Sequence, residues 1–306
     1  MNLETGFIST PDGIRLRYGT WRGGAPIPPR GTCAILDGQT EFLEKYGEVA
    51  GELCARGFAV AALDWRGQGG SQRLLSDARK AHIRDFTQYD EDLKTFGTNV
   101  LGAIGHKPPL ALAHSMGAHI LLRTLHERPD AFAGAVMTAP MIEADTRGYP
   151  AWLARSVCRA QNALGFSVDW VWGLKNRDPL FMDFKDNLVT SDPERFARTQ
   201  AMLAANPEIR LTGPSWGWFE AAYRSMAQIT APGYAEAITT PILILGAGRD
   251  RIVKTSAIRE FAKRLPNATY LEFADAEHEI LMENDSIRAR FWKAFDEFTG
   301  RILGGA

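Results

Sequence analysis

Cysteine is scarce in this chain: Cys33, Cys54 and Cys158 are the three among 306 residues. An odd number without metal-ligand spacing excludes a disulfide framework or a zinc site and reads as reduced, structural thiols of a cytoplasmic protein. An activated cysteine nucleophile is the remaining alternative. Long apolar runs are missing as well, and none approaches the roughly 18 residues of a membrane-spanning helix. Met1 to Asp12 lacks a positive start followed by an apolar stretch, which speaks against a secretory signal. Nor is there an excess of charge of one sign. Lys and Arg number 35 against 36 Asp and Glu, net −1, with no basic block, so nothing favours a nucleic-acid partner. There is no internal repeat and no low-complexity tract.

What is present is ordinary in bulk, 45% hydrophobic and 23% charged, as in a soluble globular protein. A chain of this length buries about three quarters of its unfolded surface, which allows one large domain or a domain with an insertion. Short apolar runs alternate with helical patterns. Phe7 to Ser9 and Ile14 to Trp21 flank a Pro11-Asp12-Gly13 turn and read as a hairpin. After a Gly- and Pro-rich loop from Gly23 to Gly31 come a strand at Cys33–Leu36 and a helix at Phe42–Ala55, stopped by Arg56-Gly57. A strand at Phe58–Leu63 and a helix at Asp85–Leu101 follow. Strands at Leu110–Ala113 and Ala133–Thr138 bracket a further helix. From Pro140 to about Pro232 the strands stop, and five of the eight tryptophans gather there. The alternation then resumes: strand Pro241–Gly246, helix Ser256–Leu265, strand Thr269–Phe273, helix Ser286–Thr299. The expected architecture is α/β, a mostly parallel sheet with helices on both faces. The core spans 1–139 and 236–306, and a helical cap, 140–235, is inserted over the strand ends.

The chemistry centres on Ala113-His114-Ser115-Met116-Gly117. An apolar strand runs into a serine between small residues and then into a helix, the setting of a nucleophile elbow. The strained turn requires small neighbours two before and two after, here Ala113 and Gly117. A serine hydroxyl needs an adjacent base, itself oriented by a carboxylate. Asp250 follows the strand Ile242–Leu245, and His278 follows the strand Tyr270–Phe273, in the order serine, acid, histidine. Among the six histidines, His82, His106 and His126 read as surface residues, His114 as pointing away from the hydroxyl, and His119 as packed within its helix. Of the rival carboxylates, Asp64 reads as a brace for its glycine-rich loop and Asp275 as a brace for the histidine loop. Two backbone N–H groups should hold the oxyanion, that of Met116 and that of Gln39 in the loop after Cys33–Leu36. Neither a metal nor an organic cofactor is required.

The stretches Asp37-Gly38-Gln39-Thr40-Glu41-Phe42, Leu63-Asp64-Trp65-Arg66-Gly67-Gln68-Gly69, Ala113-His114-Ser115-Met116-Gly117 and His278-Glu279-Ile280-Leu281-Met282-Glu283 resemble the bacterial lysophospholipase L2 and monoacylglycerol lipase group of serine α/β-hydrolases. The resemblance covers nearly the whole chain and is weakest in the cap. It departs at Asp37-Gly38, where many relatives have His-Gly, and at Ala113, where many have Gly. It implies a carboxylic-ester hydrolase working through an acyl-enzyme on lysophospholipids or monoacylglycerols, with Ser115, Asp250 and His278 at the triad positions and Gln39 and Met116 at the oxyanion positions. Trp152, Trp216, Trp218 and Phe219 of the cap are candidates to line an acyl channel; the alternative is that they glue the cap to the core. A general esterase, thioesterase, acyltransferase or cofactor-free perhydrolase on the same triad stays open, as does a non-catalytic binding protein on the same scaffold. The partner expected is a small-molecule or lipid ester, with transient contact to a membrane surface left open. The location expected is the cytoplasm, including the periphery of the inner membrane.

Overall fold

A computed structural model describes residues 2–22, 29–105, 108–146, 148–175 and 178–304. Most of the Gly- and Pro-rich loop after Gly23, and His106, lie outside these. The expected hairpin forms from β1 (Asn2–Ser9) and β2 (Arg15–Arg22). Then follow β3 (Gly31–Leu36), α1 (Gly47–Ala55), β4 (Phe58–Leu63), β5 (Lys80–Ala81), α2 (Thr87–Phe96), α3 (Gly102–Ile104), β6 (Leu110–His114), α4 (Ser115–Glu127) and β7 (Gly134–Thr138). The segment from 140 to 235 supplies α5 (Ala151–Ala163), α6 (Pro193–Ala205), β8 (Gly213–Pro214) and α7 (Trp216–Ile229). The chain ends with β9 (Ile242–Ala247), α8 (Thr255–Ala262), β10 (Ala268–Phe273) and α9 (Asp285–Leu303).

One eight-stranded sheet has the order β1-β2-β4-β3-β6-β7-β9-β10, antiparallel at β1-β2-β4 and parallel from β4 onward. The strands are apolar on both faces because helices cover both. In β3, Ala34 and Leu36 pack toward Phe86, just before α2, and toward Tyr89, Leu121 and Ile258 of α2, α4 and α8. Cys33 and Ile35 pack the opposite way, toward Val49 and Leu53 of α1 and Phe291 and Phe295 of α9. This two-residue alternation with both sides dry is the signature of a central parallel strand.

From β3 the chain crosses to β4 on one side, and the later β6 lies on the other. Such a reversal opens a crevice at the carboxyl ends of the two strands, where ligands bind in open α/β sheets. The loop after β3 and the Ser115 turn after β6 both lie at that crevice.

Three expectations need correction. The middle segment is not free of strand: β8 pairs in parallel with β5, a two-residue ladder too short to leave a periodic trace in sequence. His82 is not a surface residue. It is buried one residue past β5, with Nδ1 2.8 Å from Ser215 Oγ, at the N-cap of α7. The helix expected over 85–101 is broken into α2, a wide π turn at Gly97–Leu101 and α3.

Candidate active site

β6 ends at His114, and Ser115 takes φ of +48°, a left-handed conformation costly for a residue with a side chain. The geometry around it explains the small neighbours. A Cβ on Gly117 would fall 2.3 Å from the Leu36 carbonyl oxygen and 2.4 Å from that of Asp37, so no side chain fits there. Ala113 is fully buried in the same corner.

The acid and histidine loops meet backbone to backbone. The Gly248 N–H donates to the Phe273 carbonyl (2.8 Å), and Arg249 N–H to that of Ala276 (2.9 Å). A Cβ on Gly248 would lie 2.5 Å from the Ala274 Cα, so glycine is required for this approach. Asp250 and His278 are thereby brought together: His278 Nδ1 donates to Asp250 Oδ2 at 2.6 Å, and the Ser115 hydroxyl donates to His278 Nε2 at 3.0 Å. The carboxylate can only accept, which fixes the Nδ1–H tautomer and leaves Nε2 as the acceptor. Asp250 Oδ1 accepts the N–H groups of Ile252 (2.8 Å) and Val253 (2.9 Å). Burial pushes the Asp250 carboxyl upward. His278 and these N–H donors outweigh it and hold the carboxyl below its usual range. For His278, burial favours the neutral ring, but Asp250, with Glu279 and Glu41 behind it, raises the imidazole above its ordinary value.

The rivals are engaged elsewhere. Asp64 accepts from Arg17 Nε (2.6 Å), Gly70 N–H (2.7 Å) and Leu43 N–H (3.0 Å). Asp275 pairs with Arg290 of α9 at 2.6 Å. His119 is buried, bonded to the Met141 carbonyl and Ser225 Oγ, and burial drives it down to about 3. His114 is held by Thr138, and burial drives it down to about 4. Its ring lies edge-on against His278, with centroids 4.7 Å apart, a contact that sequence reasoning did not foresee. His126 stacks on Tyr234 and is half-buried rather than free at the surface.

In the loop after β3, the Gly38 N–H donates to Glu41 Oε2 (2.5 Å) and the Thr40 N–H to Gln68 Oε1 (3.3 Å). Between them, the Gln39 N–H has no protein acceptor among the described residues. Met116 is the second residue of α4, so its N–H precedes the first intrahelical acceptors.

Ser115 and His278 open into a cavity of about 870 Å³. Its walls are mainly apolar and come largely from the segment between β7 and β9, including Leu153, Val157, Trp216, Trp218, Phe219 and Met226. Trp216, Trp218 and Phe219 are thus on the wall. Trp218 also donates its Nε1–H to the Tyr89 hydroxyl (3.2 Å), so it both lines the space and ties the segment to α2. Trp152 is not on the wall. The inward face of α5 is Leu153, Ala154, Val157 and Cys158, at helical spacing, and the preceding Trp152 points off that face and is 67% exposed. Arg251 also reaches the cavity, the one Lys or Arg among the described lining residues. Its sequence signal is only its place beside Asp250.

A family model described as serine aminopeptidase, S33, matches residues 27–285. Lysophospholipase L2 of Escherichia coli K12 is 30% identical over 275 residues, 87% of this chain and 79% of that protein. A monoacylglycerol lipase of Mycolicibacterium smegmatis is 26% identical over 253 residues, 83% of this chain and 81% of its own. Among solved structures, a soluble variant of monoglyceride lipase from Saccharomyces cerevisiae superposes with a TM-score of 0.76 at 17% identity, covering 99% of this chain and 96% of that one. That likeness is one of fold. With the parallel sheet and its crevice already described, the match over residues 27–285 makes this chain a member of the serine aminopeptidase S33 family of α/β-hydrolases and a carboxylic-ester hydrolase.

Proposed function

We propose that this hydrolase cleaves single-chain lipid esters, lysophospholipids or monoacylglycerols, through an acyl-enzyme on Ser115. The observation that carries the reading is the bonded relay Asp250–His278–Ser115 opening into an apolar cavity of about 870 Å³. His278 Nε2 takes the hydroxyl proton as Ser115 Oγ attacks the ester carbonyl. The tetrahedral oxyanion is held by the N–H groups of Gln39 and Met116; one such donor contributes about 3 kcal/mol to the transition state. The intermediate collapses, and the departing alcohol takes the proton from His278. Water then attacks the acyl-enzyme with His278 again as base, releasing the fatty acid and restoring the serine. Asp250 orients the ring and stabilises its charged form.

Tyr149, Trp152 and Trp172, each about 70% exposed, belong to the segment that walls the cavity. Aromatic rings of this kind suit the interface of a lipid surface, from which such substrates come. Arg251 favours the lysophospholipid: its phosphate finds a cation at the cavity that a neutral glyceride does not use. A fluorophosphonate probe should label the folded protein and leave Ser115→Ala unlabelled. Ester turnover in that variant should fall by several orders of magnitude, on the order of 10⁶. Persistent turnover in Ser115→Ala removes the relay, and unlabelled folded parent points to a binding protein. Product analysis with water, alcohol and peroxide as competing acceptors separates hydrolase from acyltransferase or perhydrolase.

A further inference from the structure

Beneath the relay, Lys45 sits between two carboxylates that the mechanism does not use. Its Nζ donates to Glu41 Oε1 at 2.7 Å and to Glu279 Oε1 at 2.6 Å. The other Glu41 oxygen accepts the Tyr46 hydroxyl (2.7 Å) and the Gly38 N–H (2.5 Å). All three charged side chains are buried, at 5 to 11% exposure. Burying ions is costly, and a buried triplet often adds nothing to stability beyond what apolar side chains of the same volume supply. Its position gives it another use.

Gly38 immediately precedes Gln39, whose N–H faces the developing oxyanion, and Glu279 immediately follows His278. Lys45 and Glu279 are 234 residues apart in sequence. The ammonium therefore joins the loop after β3 to the loop after β10. The joint has little slack: a Cβ on Gly38 would lie 2.8 Å from Glu41 Oε2 and 3.0 Å from His114 Cδ2, and the His114 ring rests on His278. A shift of either loop would move a donor or the base against the Ser115 hydroxyl.

We propose that Lys45 is a positioning residue that locks the oxyanion loop and the histidine loop into one fixed relation through Glu41 and Glu279. This rests on the relay and oxyanion assignments above. The test uses two disruptive variants and one conservative variant. Lys45→Met removes the joint. Glu279→Leu cuts the tether to the histidine loop and also removes a charge that raises His278, so kcat is read on the pH plateau of each variant. It leaves Lys45 and Glu41 as a neutral pair and keeps the question answerable where Lys45→Met does not fold. For both, kcat and KM are measured on a short soluble ester beside Ser115→Ala, with the melting temperature as the control for folding. The expected result is a kcat lowered about 100-fold, the scale of an ångström-sized misplacement of reacting groups, with KM within twofold. Lys45→Arg, which keeps a cation between the carboxylates, should recover at least tenfold of the loss. A purely structural role would lower the melting temperature and leave kcat of the folded fraction alone. Folded Glu279→Leu with kcat within threefold of the parent overturns the proposal. If Ser115→Ala keeps its turnover, the relay assignment itself has failed, a distinct outcome.

Discussion

The cavity makes a quantitative claim about the acyl chain. Taking roughly the volume of a water, ~30 Å³, for each non-hydrogen atom, its 870 Å³ accepts on the order of 30 atoms, one long acyl chain with a glycerol headgroup. Each methylene moved from water onto that apolar wall contributes about 0.8 kcal/mol, close to fourfold in kcat/KM. In a series of p-nitrophenyl esters from two to sixteen carbons, kcat/KM should climb about fifteenfold per two-carbon step and then level off once the wall is covered. Ala222 of α7 is buried on that wall and supplies a second perturbation. Ala222→Phe places a ring in the channel and should bring the plateau several carbons earlier, with esters of four carbons or fewer within twofold of the parent. An optimum at two carbons would refute the acyl-slot argument. So would an Ala222→Phe effect equal at every chain length, which would signify a damaged relay rather than a shortened slot.

Other predictions test the charges. His278 must be neutral to act as base, and its imidazole is raised above the ordinary value of about 6.5. Activity should therefore appear as pH rises through an inflexion above 6.5; in Asp250→Asn, which lacks the raising carboxylate, the residual activity should turn on at lower pH. A kcat/KM profile checks both, and an inflexion of the parent below 6 contradicts the electrostatics. Arg251 is half-exposed and held loosely through Nη2, 3.3 Å from the Asn187 carbonyl and 3.4 Å from Glu277. Arg251→Ala should lower kcat/KM for a lysophospholipid about tenfold, the loss of one partly solvated charge-assisted bond, and leave a monoacylglycerol within twofold. Equal loss on both esters would deny it a role in headgroup choice.

The sheet was legible because its central strands are buried on both faces. Leu110–Ala113 and Ile242–Leu245 then appear as apolar runs with a chemistry-bearing residue at each carboxyl end. Ser115, Asp250 and His278 follow from that position, since the elbow needs Gly117 and the two later loops follow strands. Local pattern misjudged residues whose partners are distant in sequence. His82 stands among Lys80 and Arg84 and looks wet, yet its partner, Ser215, lies 133 positions on. Glu41 and Lys45 stand four residues apart with no local mark of burial; Glu279, far on in the chain, and the loops above them keep them dry. Trp152 looks like its neighbours in composition; only the orientation of α5 decides that Leu153 faces in and Trp152 out.

The left-handed backbone at Ser115 belongs to the folded chain itself. Glycine would hold the same turn without penalty. With Ser115 as the nucleophile proposed above, pressure for turnover keeps a hydroxyl where folding alone would favour glycine. In a lineage released from that pressure, this position is among the first to go, while the sheet beneath it stays intact.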